Sequence, residues 1–105
     1  MNDLNKYQTE AMTFRTPTAD EAYALLNLGA EAGEVLGKVA KALRDNGDHE
    51  VLRQDIKKEL GDVMWMVAAV AADFNFTLSE ICEHNIEKLN SRKERNVITG
   101  SGDNR

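Results

Sequence analysis

The chain has 105 residues, about one domain's worth, and 42% of them are apolar, an ordinary level for a globular protein. Thirteen basic against eighteen acidic residues leave a net charge of −5, which argues against nucleic acid or an anionic membrane as the main partner. The single cysteine, Cys82, excludes an intramolecular disulfide framework, the first six residues have no apolar signal core, and the longest apolar run, Val63 to Ala72, is too short to span a bilayer, so a cytoplasmic location is expected.

Tyr7, Ala11 and Phe14 recur at helical spacing and predict a short helix over 4–14, broken at Thr16-Pro17. Thr18 and Glu21 are spaced as a capping box and open a second helix running to about Arg44. A turn over 45–48 follows, and Asp48 caps a third helix that reaches about Asp73. Asn75 falls in a short break. Thr77 and Glu80 form another capping box, opening a last helix to about Arg95. Residues 1–98 thus read as one helical domain and 99–105 as a loose polar tail. Short connections make the two long helices antiparallel neighbours in an all-α, four-helix bundle-like fold.

Leu25, Leu28, Ala32, Val35, Val39 and Leu43 form the stripe expected to be buried on the second helix. The run Val63 to Ala72 is apolar all round and must be covered on every side. Three other helices of so small a chain can hardly do that, so a subunit contact is expected around Trp65. On the last helix the stripe is Leu78, Ile81, Cys82, Ile86 and Leu89, with Cys82 read as a small core residue. His49 and His84 read as surface residues.

Two acidic pairs carry the chemistry. Glu31-x-x-Glu34 lies on the second helix and Glu59-x-x-Asp62 on the third, and residues three apart share one face. Glu34 stands eleven residues before Asp45 and Glu59 eleven after Asp48, so an antiparallel turn brings the pairs to similar heights. Two carboxylates ~4 Å apart repel by about 4 kcal/mol at an effective dielectric near 20, which a cation relieves. All-oxygen ligands select magnesium or manganese over zinc. Gly33 and Gly61, inside the two motifs, leave room for a close approach. On the last helix Asn85, Lys88 and Arg92 are placed to hold phosphates.

These motifs, with Lys58 and Val63 to Trp65 around the second pair and Asn85, Lys88 and Arg92 after it, resemble the MazG-type all-α nucleoside triphosphate pyrophosphohydrolases over residues 5–95. Short single-domain members of bacteria and phages are the nearest in pattern. The resemblance implies cleavage of a (d)NTP between the α and β phosphates, Mg²⁺ on the four acids, and a homodimer or homotetramer. In that scheme Glu31, Glu34, Glu59 and Asp62 hold the metal, Glu34 orients or deprotonates the attacking water, and Asn85, Lys88 and Arg92 bind substrate. Lys38 is the next candidate cation, and Trp65 and Phe76 are candidates for stacking on the base. Met66 stands where many relatives have an aromatic residue. A ferritin-like dimetal oxidase would want E-x-x-H pairs, which neither histidine supplies. The other alternative is a non-enzymatic helical interaction module with a solvated acidic face.

Overall fold

The computed structural model describes residues 3–105; Met1 and Asn2, the start of the expected domain and of the polar N-terminus, lie outside the described residues. Four helices follow in order: α1 (Asp3–Met12), α2 (Glu21–Asp45), α3 (His49–Asp73) and α4 (Leu78–Glu94). The described residues include no strand. None of their helices is long and apolar enough to cross a membrane.

The helix starts follow local side-chain chemistry. Asp48 accepts the Val51 amide at 3.0 Å, and Thr77 and Glu80 form the expected reciprocal box. The cap of α2 differs from expectation. Asp20, not Thr18, accepts the Tyr23 amide, because residues 16–19 close a turn (Ala19 N–H to the Thr16 carbonyl, 3.0 Å) that delivers Asp20 to the helix start. The three later helix ends share one device. Asn46, Asn75 and Asn96 sit at φ 49°, 62° and 59°, a conformation asparagine tolerates better than most residues. The following amides of Gly47, Phe76 and Val97 return to the Ala42, Ala71 and Arg92 carbonyls.

α2 and α3 form a long antiparallel hairpin, and α1 and α4 pack at the far end of α3. Gln8, 7% exposed, ties that corner together. Its amide nitrogen donates to the Ala68 and Phe76 carbonyls, and its oxygen accepts the Leu78 amide at 3.0 Å. Arg15 adds a bidentate pair to Asp73 at 2.7 and 2.8 Å and donates to the Ala19 carbonyl. The core here is Ala68, Ala71 and Leu78, with Met12 and Val67 against it.

Beyond the corner the bundle is open. Among the described helices α2 packs closely on α3 alone, and α4 does not pack against it. The radius of gyration is 16.6 Å, against roughly 13 Å for a compact chain of this length. Several expectations about buried faces are therefore corrected. Leu25, Ala32 and Leu43 of the α2 stripe are exposed, as are Ile81, Cys82, Ile86 and Leu89 on α4, because none of the described elements lies over them. Conversely, Met66, Ala68, Ala69 and Ala71 are buried within the chain, since alanine lets α1 and α4 approach closely. The uncovered apolar surface sits on α2 and α4 rather than mainly on Val63–Ala72. The tail is not loose either: the Arg105 side chain donates to the Val97, Ile98 and Gly102 carbonyls.

Candidate metal centre and nucleotide site

The hairpin sets the height of the acids. The short turn between α2 and α3 makes the two helices run side by side, so Glu31 of α2 meets Glu59 and Asp62 of α3. One carboxylate oxygen from each lies within 4.8 Å of the other two. Glu31 and Glu59 are half-buried and Asp62 is exposed, so the cluster is open on one side. Asn27 donates to Glu31 at 3.3 Å, and the Lys38 ammonium lies 3.9 Å from Glu59. Both partners come from α2, one turn before and two turns after Glu31, and they steady the acids without closing the site.

Three of the four expected acids converge. Glu34 stands outside the trio and is exposed. It projects one turn beyond Glu31 along the same helix. A Cβ added at Gly33 or Gly61 would meet nothing within 4 Å, so the room these glycines leave faces open space and not another part of the chain.

An aromatic cavity adjoins the acids. Tyr7, Phe14 and Trp65 line a cleft of about 550 Å³ together with Glu10 and Ala11. Trp65 follows Asp62 by one turn, and its indole N–H donates to the Ala11 carbonyl at 3.1 Å, which fixes the ring against α1. Burial, aided by the Asp62 carboxylate, pushes the Tyr7 phenol above its ordinary range. Phe14 and Trp65 also border a second cavity, of about 340 Å³, under the α1–α2 connection. Sequence reasoning named Trp65 but missed Tyr7 and Phe14. Their helical spacing was visible, yet it signalled only a helix face, and nothing local says that α1 folds back beside Asp62.

The α4 candidates lie apart from this cluster. Asn85 is exposed. Lys88 and Arg92 both engage Asp103 of the tail, and Arg92 is only 6% exposed. Asp103 is a residue the sequence pattern did not mark.

Among the described residues, four helices and no strand, with carboxylates from two antiparallel long helices meeting at one height, define an all-α acidic-site protein. Comparison with known proteins specifies the class: the MazG nucleotide pyrophosphohydrolase domain matches residues 20–97. The chain belongs to this family. It is also similar to the gene 37 protein of Mycobacterium phage L5, with 48% identity over 86 residues, covering 80% of this chain and 75% of that protein. No solved structure matches the chain.

Proposed function

We propose that the protein hydrolyses a nucleoside triphosphate between the α and β phosphates, giving a nucleoside monophosphate and pyrophosphate. The observation that carries this reading is the convergence of Glu31, Glu59 and Asp62 in a chain of the MazG family. The donor set suits a hard divalent cation: three oxygen ligands, partly buried, open on one side, with no sulfur or imidazole among them. Glu31, Glu59 and Asp62 would hold Mg²⁺ or Mn²⁺, with Glu34 one turn away. Such a cation, when bound, neutralises polyphosphate charge and makes water more acidic.

The chain's own residues do the rest. Glu34 orients a water and takes its proton as the water oxygen bonds to the α-phosphorus. The bond from that phosphorus to the bridging oxygen breaks, and the electron pair leaves with pyrophosphate. Lys38, held at the edge of the acid trio, turns to a phosphate oxygen. Lys88, Arg92 and Asn85 lie apart from the acid trio within one chain, so they bind the departing phosphates where a second copy brings α4 beside the trio. The cleft of Tyr7, Phe14 and Trp65 takes the base, since aromatic faces stack on any base. A second copy covers the exposed leucines of α2, giving a homodimer or homotetramer, because Leu26, Leu36 and Leu43 are each more than 70% exposed in the single chain.

The test is a panel of ribo- and deoxyribonucleoside triphosphates incubated with Mg²⁺ in ¹⁸O-labelled water. The expected result is pyrophosphate release with the label in the monophosphate. Label in the pyrophosphate, or loss of single orthophosphates, would place the attack at another phosphorus. No hydrolysis across the panel would favour a helical interaction module.

A further inference from the structure

The end of the chain folds back on α4. Gly100 and Gly102, at φ 127° and 87°, allow the sharp return. Arg105 closes it with three side-chain hydrogen bonds to the Val97, Ile98 and Gly102 carbonyls, and Arg95 donates to the Arg105 carbonyl at 2.8 Å. The return delivers Asp103 onto the two cations of α4. Its carboxylate lies 3.5 Å from the Lys88 ammonium and 3.5 Å from the Arg92 guanidinium, which also donates to the Asp103 backbone carbonyl at 2.9 Å.

The hold is incomplete. Asp103 is 86% exposed in its side chain, and one carboxylate oxygen is shared by two cations at long distance. Arg92 is buried, yet its Nε has no hydrogen-bond partner. A buried donor left unmade is costly, so the closed arrangement does not satisfy the guanidinium it covers. A phosphate group carries more charge and three acceptor oxygens, enough to serve an ammonium and a guanidinium at once.

We propose that residues 99–105 form an autoinhibitory strap in which Asp103 occupies Lys88 and Arg92 as an internal substitute for a phosphate, and that a bound polyphosphate displaces it. The proposal rests on reading Lys88 and Arg92 as phosphate-binding side chains. Opening the strap exposes no part of the core around Leu78, which lies at the other end of α4. Lys88 above all, with Arg92, holds the Asp103 carboxyl below its usual range.

Titration calorimetry with inorganic pyrophosphate in metal-free buffer tests the strap on the full chain. Asp103→Asn removes the competing carboxylate, and Arg105→Ala loosens the strap without touching either cation. Both should bind pyrophosphate roughly three- to tenfold more tightly than wild type, because the binding-competent fraction rises. Lys88→Ala should bind it more weakly, and the double variant Asp103→Asn with Lys88→Ala no more tightly than Lys88→Ala alone. Wild-type affinity in Asp103→Asn and Arg105→Ala, with Lys88→Ala weakened, would overturn the strap and leave the phosphate clamp standing. Wild-type affinity in Lys88→Ala would remove the clamp, and the strap with it.

Discussion

The corner where α1, α3 and α4 meet and the middle of the α2–α3 hairpin are built on opposite rules. At the corner polar groups are matched within the chain: Gln8 spends both ends of its amide on three backbone groups, and Arg15 matches both oxygens of Asp73. In the hairpin three carboxylates face one another with a single ammonium at 3.9 Å, and leucines beside them stand in the open. The corner is finished by folding. The hairpin is left electrostatically and sterically unfinished, the condition expected of a region whose partners arrive from outside.

Substitutions should separate the two regions. The largest effect belongs to the hairpin. Glu59→Gln keeps the shape and removes a charge, and should lower turnover on the order of 10²- to 10³-fold while leaving the thermal midpoint equal to or above wild type, since like-charge repulsion falls. A matching loss of stability would mean that Glu59 belongs with the corner. Gln8→Ala is the mirror case. It strands buried backbone groups and should cost about 2–4 kcal/mol in denaturant unfolding, with turnover per folded molecule little changed.

Leu36→Glu tests the steric half of the contrast. Leu36 is 72% exposed, so a charge there should barely alter folding but should drive sedimenting dimers or tetramers toward monomer. If the variant sediments as wild type does, the α2 leucines are not the contact. The smallest effect concerns acid. Arg15 holds the Asp73 carboxyl below its ordinary range near 4. A depressed native pKa gives stability that is present above the unfolded value and lost as pH falls through the native one. Asp73→Asn should therefore be less stable than wild type at neutral pH, with the gap narrowing below about pH 4. A gap that persists unchanged into acid would assign Asp73 a packing role only.

Much of this contrast was legible in the sequence. The two i, i+3 acidic pairs and the short connection marked the right stretch of both helices, but the equal eleven-residue distances set Glu34 opposite Glu59, whereas Glu31 is the α2 acid that meets Glu59 and Asp62. The caps at Asp48 and Thr77 were equally local and equally readable. What escaped were long-range features. Gln8 is one polar residue in a polar stretch, and its role exists only once residues 68 to 78 lie beside it. Asp103 sits among turn-forming residues, and only the glycine-permitted return brings it to Lys88. The apolar stripes of α2 and α4 signalled burial, yet Leu25, Ala32, Leu43, Ile81, Cys82, Ile86 and Leu89 are exposed, because a stripe does not say whether an element of the chain lies over it.

The most direct test of the central claim is the binding of Mn²⁺ to the nucleotide-free protein, followed by the electron paramagnetic resonance signal of the unbound ion. Wild type should take up the ion, and Glu31→Gln, Glu59→Gln and Asp62→Asn should each bind it at least about tenfold more weakly, because a ligand oxygen and a charge are lost from one shared site. Equal affinity in wild type and all three variants would contradict the account, leaving the carboxylates of the two helices as a solvated face rather than a cation site.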